Sequence, residues 1–250
     1  QNGCVSSRTE VIATINEIPT ITGTTPAGRC NSGTVTLQAL ASTGTISWYA
    51  NSTGGTALGI GTSFTTPVLS ASTTYYVESA TATCNSTRTA VTATVNATPS
   101  ITSTTPSSVC DSGTVILQAT ASAGTISWFA NATGGTALGT GTSFTTPSLS
   151  TTTTYYVEVS NNGCISGRTA VIATVNTTPT ITGTTPASRC GSGAVTLQAT
   201  ASAGTIQWFA ASTGGTALFT GANYTTPSLT TTTSYYVQVS QNSCTSSRTE

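Results

Sequence analysis

The sequence contains no histidine, no methionine and no lysine, and only 5% of its residues are charged. General acid–base catalysis and metal binding draw on clusters of His, Asp, Glu and Cys, so this composition predicts a protein that is not an enzyme and holds no cofactor or metal. Six arginines balance six acidic residues. Without a basic face to neutralise phosphates, nucleic acid is excluded as an expected partner.

Long hydrophobic runs are also missing. No stretch approaches the roughly 18 apolar residues that span a bilayer, so we expect no membrane insertion in this segment. The sequence shows no signal peptide either, and an export signal is expected outside these residues. Low charge with abundant Thr, Ser and Gly is typical of disorder, but here aromatic and β-branched residues recur at fixed spacings, which favours strands.

The sequence repeats with a period of 80 residues, so each period is predicted to be one folding module. Each period contains a first cysteine, a tryptophan 18 residues after it, and then a second cysteine. We predict repeats at 19–98, 99–178 and 179–250, preceded by the last strand of an earlier repeat at 1–18. The landmarks are Cys30, Trp48 and Cys84, then Cys110, Trp128 and Cys164, then Cys190, Trp208 and Cys244.

The third repeat stops at Arg248-Thr249-Glu250 and has no counterpart of the run Val171–Asn176. The first segment contains such a run at Val11–Asn16. Two explanations stay open: the sequence is a window cut from a longer array, or the first strand of one chain completes the last module of another.

Alternating apolar residues predict strands with one buried face, as in Val115, Leu117 and Ala119. No ten-residue stretch has helical periodicity, so the chain is predicted to be all-β, with about seven short strands in each repeat. The predicted core combines a leucine, a tryptophan, a tyrosine and a valine from each repeat: Leu37, Trp48, Tyr75 and Val77; Leu117, Trp128, Tyr155 and Val157; Leu197, Trp208, Tyr235 and Val237.

This pattern resembles the core of immunoglobulin domains. Trp128 corresponds to the strand-C tryptophan, Tyr155 to the tyrosine corner, and Leu117 and Val157 to the positions of the inter-sheet cysteines of antibodies. The resemblance implies tandem immunoglobulin-like β-sandwiches arranged as an extended rod. The cysteines of this chain depart from the pattern, because they lie outside the strand centres.

The sequence of each unit is also similar to tandem Ig-like repeats of giant cell-surface adhesins of the Bacteroidota, including gliding-motility adhesins exported by the type IX pathway. The similar motifs are Cys110-Asp111-Ser112-Gly113, Thr133-Gly134-Gly135-Thr136 after Trp128, and Asn162-Gly163-Cys164. The resemblance implies an extracellular, cell-surface stalk or filament that holds a binding tip away from the cell, with neighbouring repeats as its partners.

Seven cysteines without metal-ligand spacing predict a disulfide framework in an oxidising compartment. Two pairings stay open. In the Ig-type topology that the resemblance implies, the two cysteines of one repeat lie at opposite ends, which favours inter-repeat pairs. Sequence proximity favours pairs within each repeat. The candidates are Cys30–Cys164 and Cys110–Cys244, or alternatively Cys30–Cys84, Cys110–Cys164 and Cys190–Cys244.

Two further functions stay open beside the stalk. The Thr-rich faces and second tyrosines could bind a surface glycan or ice weakly along many repeats. A strand-exchanged extracellular polymer is the other. The recurring Arg88, Arg168 and Arg248 are predicted to pair with Glu78, Glu158 or a nearby carbonyl across the last hairpin.

Overall fold

The structure is a computed structural model that describes residues 3–250. Gln1 and Asn2, the first residues of the predicted 1–18 segment, lie outside the described residues. Residues 3–250 form 24 strands and no helix, which confirms the all-β prediction. No helix long and apolar enough to cross a membrane occurs within that range.

The chain divides into two compact units. The first unit comprises the residues up to Thr98 together with Asn161–Ile165, and the second comprises Pro99–Ser160 and Ser166–Glu250. The first unit therefore contains repeat 1 and a short loop of repeat 2. The second unit contains the remainder of repeat 2 and all of repeat 3.

Repeat 1 is a sandwich of two sheets. One sheet has the order β1-β3-β6, and the other has the order β2-β8-β7-β4-β5. All neighbours are antiparallel except β2 and β8, which run parallel. The strands are β1 (Ile21–Thr25), β2 (Ala27–Cys30), β3 (Thr36–Ala41), β4 (Thr45–Tyr49), β5 (Gly59–Ile60), β6 (Ser63–Thr65), β7 (Thr73–Ala80) and β8 (Thr89–Asn96).

Repeat 2 has the same arrangement. Its sheets have the orders β9-β11-β14 and β10-β17-β15-β12-β13. The strands are β9 (Ile101–Thr105), β10 (Ser107–Cys110), β11 (Ile116–Ala121), β12 (Thr125–Phe129), β13 (Gly139–Thr140), β14 (Ser143–Thr145), β15 (Thr153–Asn161), β16 (Cys164–Ile165) and β17 (Thr169–Asn176).

Repeat 3 has fewer strands. Its sheets have the orders β18-β19-β22 and β21-β20-β23-β24. Among residues 179–250 there is no equivalent of β10 or of β17. The strands are β18 (Ile181–Thr185), β19 (Thr196–Ala201), β20 (Thr205–Phe209), β21 (Phe219–Thr220), β22 (Asn223–Thr225), β23 (Tyr236–Gln241) and β24 (Cys244–Thr245).

The core of each sandwich lies between its two sheets and follows the predicted alternation. In repeat 2, Leu117 of β11 and Trp128 of β12 are fully buried. The indole of Trp128 stacks on Phe144 with a centroid distance of 5.6 Å. Its Nε1 donates to the carbonyl of Gly141 at 2.9 Å, so the polar atom of this buried ring has a partner.

Two of the predicted core residues, Leu197 and Tyr235 of repeat 3, are only half-buried, unlike their counterparts in repeats 1 and 2. The reason is the strand content of this repeat. In repeat 2, Tyr155 pairs with Val171 of β17, whereas no strand of residues 3–250 lies beside Tyr235.

The strand β10 is not predicted by the sequence pattern. It follows Pro106 directly, and its sequence Ser-Ser-Val-Cys has no apolar alternation. Its pairing with β17 places Cys110 beside Asn176. A short edge strand after proline is compatible with the missing backbone donor, because Pro106 itself lies outside the ladder.

An arginine in each repeat holds the glycine-containing turn after the tryptophan strand, and in repeats 1 and 2 it also forms the predicted pair with a glutamate. In repeat 2, Arg168 Nε donates to Glu158 at 2.9 Å and its Nη1 donates to the carbonyls of Asn131 and Gly134. The guanidinium also lies 3.5 Å over the ring of Phe129. We call this set the arginine clamp of repeat 2. Arg88 makes the equivalent contacts in repeat 1.

Residues 3–18 form no strand, and their large apolar side chains are exposed. Val11 is 91% exposed and Ile15 is 96% exposed. A strand requires a hydrogen-bonded neighbour, and none of the described residues provides one for this segment.

Candidate coupling site between repeats

The reactive side chains of this protein are its cysteines. Within residues 3–250, no three His, Cys, Asp or Glu side chains lie close enough together to hold a metal ion. The candidate site is therefore built around the disulfides and the polar groups that surround them.

Two disulfides join cysteines of different repeats. Cys30 bonds Cys164 with a Cα–Cα distance of 5.6 Å. Cys110 bonds Cys244 with a Cα–Cα distance of 5.7 Å. Both distances lie in the usual range for disulfides. Each bond connects the first cysteine of one repeat to the second cysteine of the following repeat.

The strand register explains why the two cysteines of one repeat do not meet. In repeat 1, Cys30 pairs with Asn96 at the end of β8. Cys84 follows β7, whose Val77 pairs with Thr89 at the start of β8. An eight-residue strand spans roughly 25 Å, whereas a disulfide needs Cα atoms within about 7 Å.

The alternative pairing within each repeat is therefore not the one in the structure. The register argument also applies to repeat 2, where Cys110 pairs with Asn176 at the end of β17 and Val157 of β15 pairs with Thr169 at its start. The pairs Cys30–Cys84, Cys110–Cys164 and Cys190–Cys244 are absent from residues 3–250.

An asparagine at the end of the last strand adds a hydrogen bond next to each disulfide. Asn96 Nδ2 donates to the carbonyl of Asn162 at 3.1 Å, and Asn176 Nδ2 donates to the carbonyl of Asn242 at 3.3 Å. The acceptors are turn residues with positive φ, a conformation that asparagine tolerates better than most residues. The amide and the disulfide thus hold the same turn.

In repeats 1 and 2, the residue after the first cysteine binds the linker that leads to the next repeat. Asp111 has a φ of 59°, and its carboxylate accepts from the backbone N of Thr178 at 2.8 Å and from the Thr178 hydroxyl at 2.7 Å. These hydrogen bonds, the backbone one first, lower the pKa of Asp111. Asn31 takes this role in repeat 1, with contacts to Thr98.

A family model described as "Ig-like domain CHU_C associated" matches residues 17–96, 97–176 and 177–250. The chain belongs to this family. The Ig-like repeat fold is typically non-catalytic, and the three consecutive matches make the chain a tandem array of CHU_C-associated Ig-like domains.

Solved structures similar to this array are also Ig-domain proteins. Sidekick-1 immunoglobulin domains 1–5 have 14% sequence identity and a TM-score of 0.41, and the match covers 93% of this chain and 58% of that chain. The complex of Dpr2 Ig1-Ig2 with DIP-Theta Ig1-Ig3 has 13% identity and a TM-score of 0.35, covering 92% of this chain and 97% of that chain. None of the curated proteins matches significantly.

The chain thus spans less than two thirds of the five-domain Sidekick-1 structure. Disulfides persist in oxidising compartments, so the two bonds of these CHU_C-associated domains are consistent with an extracellular or secreted protein.

Three cysteines form no disulfide within residues 3–250: Cys4, Cys84 and Cys190. Cys84 is the second cysteine of repeat 1 and Cys190 is the first cysteine of repeat 3. Their counterparts in the other CHU_C-associated domains are all bonded, so the described residues contain only one half of a coupling site at Cys84 and at Cys190.

The asparagine amides and Asp111 were not identified from the sequence. A signal was present, because an asparagine follows Val-Ile-Ala-Thr-like runs at Asn16, Asn96 and Asn176, again at the 80-residue period. Its role depends on the neighbouring turn, which the sequence does not place.

Replacing Asp111 by Asn should make the coupling site less sensitive to acid. Because its pKa is depressed in the folded state, the ionised carboxylate contributes stability that is fully present above its ordinary pKa of about 4 and is lost as the pH falls through the lower folded pKa. We therefore expect wild type to lose more stability than Asp111→Asn between pH 5 and pH 2, measured by urea unfolding. A difference between the two that does not change with pH would contradict this assignment.

Proposed function

We propose that the chain is a structural stalk segment of a bacterial cell-surface adhesin, which spaces a binding tip from the cell. Its modules are residues 19–98, 99–178 and 179–250. The motif resemblance to Bacteroidota gliding-motility adhesins supports a place on the cell surface and, more narrowly, a role in gliding. The mechanism is mechanical, and the adhesive site belongs to another part of the protein.

The observation that carries this proposal is the direction of the disulfides. Each bond runs from one repeat to the next and joins residues 134 apart. A disulfide that only stabilised a domain would close within it, whereas a bond between successive repeats limits how far and how freely they separate. Resistance to separation is the property that a spacer under load requires.

The surface chemistry supports the same function. The net charge is zero and charged residues are scarce. The arginines of repeats 1 and 2 that recur before the last strand are occupied with Glu78 and Glu158 rather than presented to a ligand. A spacer needs length and restricted joints rather than a unique recognition surface.

Imaging of single particles tests the proposal. Oxidised chains should be elongated, with roughly 35–45 Å for each repeat, given the rise of about 3.3 Å per residue in a strand and the added loops. The matched variant Cys164→Ser with Cys244→Ser should show a broader distribution of end-to-end distances. Globular particles, or glycan-array and ice-affinity binding that increases with repeat number, would contradict the spacer function.

A further inference from the structure

Each inter-repeat disulfide lies next to an asparagine that ends the last strand of the earlier repeat. These residues are Asn96 at the end of β8 and Asn176 at the end of β17. They stand at the same position of their repeats, 80 residues apart. Both residues are half-buried. The hydrogen bonds of each asparagine reach both of the chain segments that carry the cysteines.

The main chain of Asn96 holds the segment that carries the first cysteine. Asn96 is the parallel partner of Cys30 in the strand register. Its carbonyl accepts from the backbone N of Asn31, the residue after Cys30, at 2.8 Å. Cys30 is therefore fixed at the end of its own sandwich, and its sulfur bonds only a thiol that is brought to this end.

The side chain of Asn96 holds the segment that carries the second cysteine. Its Nδ2 donates to the carbonyl of Asn162, two residues before Cys164, at 3.1 Å. The turn segment Asn161–Ile165 belongs to the same compact unit as repeat 1. Cys164 Sγ lies 4.0 Å from the carbonyl oxygen of Asn96. One asparagine thus contacts the main chain on both sides of the disulfide.

The second joint has the same arrangement. Asn176 is the parallel partner of Cys110, and its carbonyl accepts from the backbone N of Asp111 at 2.8 Å. Its Nδ2 donates to the carbonyl of Asn242, two residues before Cys244, at 3.3 Å. The same atoms of the asparagine serve both joints, so each joint is a control for the other.

The hydrogen bonds of the two asparagines run between nitrogen and oxygen atoms. They are compatible with thiols as well as with a disulfide, so the asparagine brings the two segments together before oxidation. A disulfide forms through a mixed disulfide with the oxidant, and the second step requires the two cysteine sulfurs to meet. Holding both segments in the bonded geometry raises the effective concentration of one thiol at the other.

We propose that Asn96 and Asn176 are positioning residues for the coupling disulfides: each holds two cysteine segments together, so that their thiols bond each other in preference to a small thiol. At the first joint, the thiolate of Cys30, the more exposed cysteine, attacks oxidised glutathione and releases one glutathione thiolate. The Cys164 thiolate then attacks the Cys30 sulfur and releases the second. Two protein thiols lose two protons and two electrons, and one glutathione disulfide is reduced to two thiols. The proposal does not depend on the stalk function.

The redox equilibrium of the full 250-residue chain tests the proposal. In the parent chain, serine replaces the cysteines that form no disulfide within residues 3–250, which are Cys4, Cys84 and Cys190. Chains are equilibrated in glutathione buffers, quenched with acid, alkylated and mapped, which gives an equilibrium constant for each disulfide. Asn96→Ala should lower the constant of Cys30–Cys164 about fivefold, the effect of one hydrogen bond, and leave that of Cys110–Cys244 unchanged. Asn176→Ala should do the reverse.

Two further variants separate positioning from general stabilisation. Asn96→Asp keeps the shape of the side chain but replaces its donor by a carboxylate, so at neutral pH it should lower the Cys30–Cys164 constant at least as much as Asn96→Ala. Asn31→Asp gives repeat 1 the acid that repeat 2 has at Asp111 and alters a side chain that hydrogen-bonds to the linker, so it should leave the constant unchanged. The reduced variants should keep the circular dichroism spectrum of the reduced parent. An Asn96→Ala chain that loses its β-sheet spectrum when reduced, a constant within twofold of the parent, an equal fall at both disulfides, or the same fall in Asn31→Asp would overturn the proposal.

Discussion

When single oxidised chains are pulled from both ends until all repeats unfold, we expect a maximum extension of about 300 Å, against about 850 Å after reduction, at roughly 3.4 Å per residue. The disulfides Cys30–Cys164 and Cys110–Cys244 enclose overlapping loops. Force-extension measurements with an atomic force microscope or optical tweezers would give both lengths.

The expected value follows from the shortest covalent path between the ends. That path enters at Cys30, crosses to Cys164, returns along the chain to Cys110 and crosses to Cys244. It contains about 90 residues, or roughly 300 Å of extended chain. Because the loops overlap, every residue between Cys30 and Cys244 lies within at least one of them, so no repeat can be drawn out fully.

Single substitutions test this path. Cys244→Ser leaves one loop and should raise the maximum extension to about 400 Å. Cys84→Ser is the matched control and should leave the maximum extension unchanged, because Cys84 takes part in neither disulfide. Pairing within each repeat would give nearly the same wild-type length, but it would make Cys84→Ser longer, at about 480 Å. That result would contradict the inter-repeat bonds.

Much of the fold could be predicted because the local pattern and the burial agree. Leu117 and Trp128 lie on alternating runs, and both are fully buried. The resemblance to Ig domains placed the two cysteines of a repeat at opposite ends, and the parallel pairing of β10 with β17 shows how this arises.

The rest depended on neighbours that a sequence does not specify. The strand β10 has no apolar alternation, and it forms because β17 supplies a partner. Its counterpart in repeat 3 is irregular, although Ala187–Cys190 has a similar sequence. Leu197 and Tyr235 are less buried than predicted for the same reason: the neighbouring strand is missing from repeat 3. The Asn176 amide finds its acceptor in another repeat, so local propensity could not indicate its role.

Replacing Arg168 by Ala should destabilise repeat 2 by about 3 kcal/mol, because removing one partner of a largely buried ion pair leaves the other charge without compensation. The side chains of Arg168 and Glu158 are only 12% and 20% exposed. The substitution also removes the donor to the carbonyls of Asn131 and Gly134. Urea unfolding in a Trp48→Phe, Trp208→Phe background would report on repeat 2 through its one tryptophan.

Repeat 3 supplies the matched control for this arginine clamp. Arg248 donates to the carbonyls of Ala211 and Gly214 and lies 3.5 Å over the ring of Phe209, but Gln238 stands where repeat 2 has Glu158. Arg248→Ala, followed through Trp208 in a Trp48→Phe, Trp128→Phe background, should therefore cost less than Arg168→Ala, since it leaves no carboxylate behind. Arg168→Lys should cost less than Arg168→Ala, because the ammonium group keeps a positive charge beside Glu158, but it should remain less stable than wild type, because one ammonium group cannot also reach both carbonyls in the geometry of a guanidinium. Equal losses for Arg168→Ala and Arg248→Ala would show that the clamp acts through its ring contact or turn packing rather than through the ion pair. A lysine variant as stable as wild type would show that the ion pair alone is enough and that the carbonyl and ring contacts contribute little.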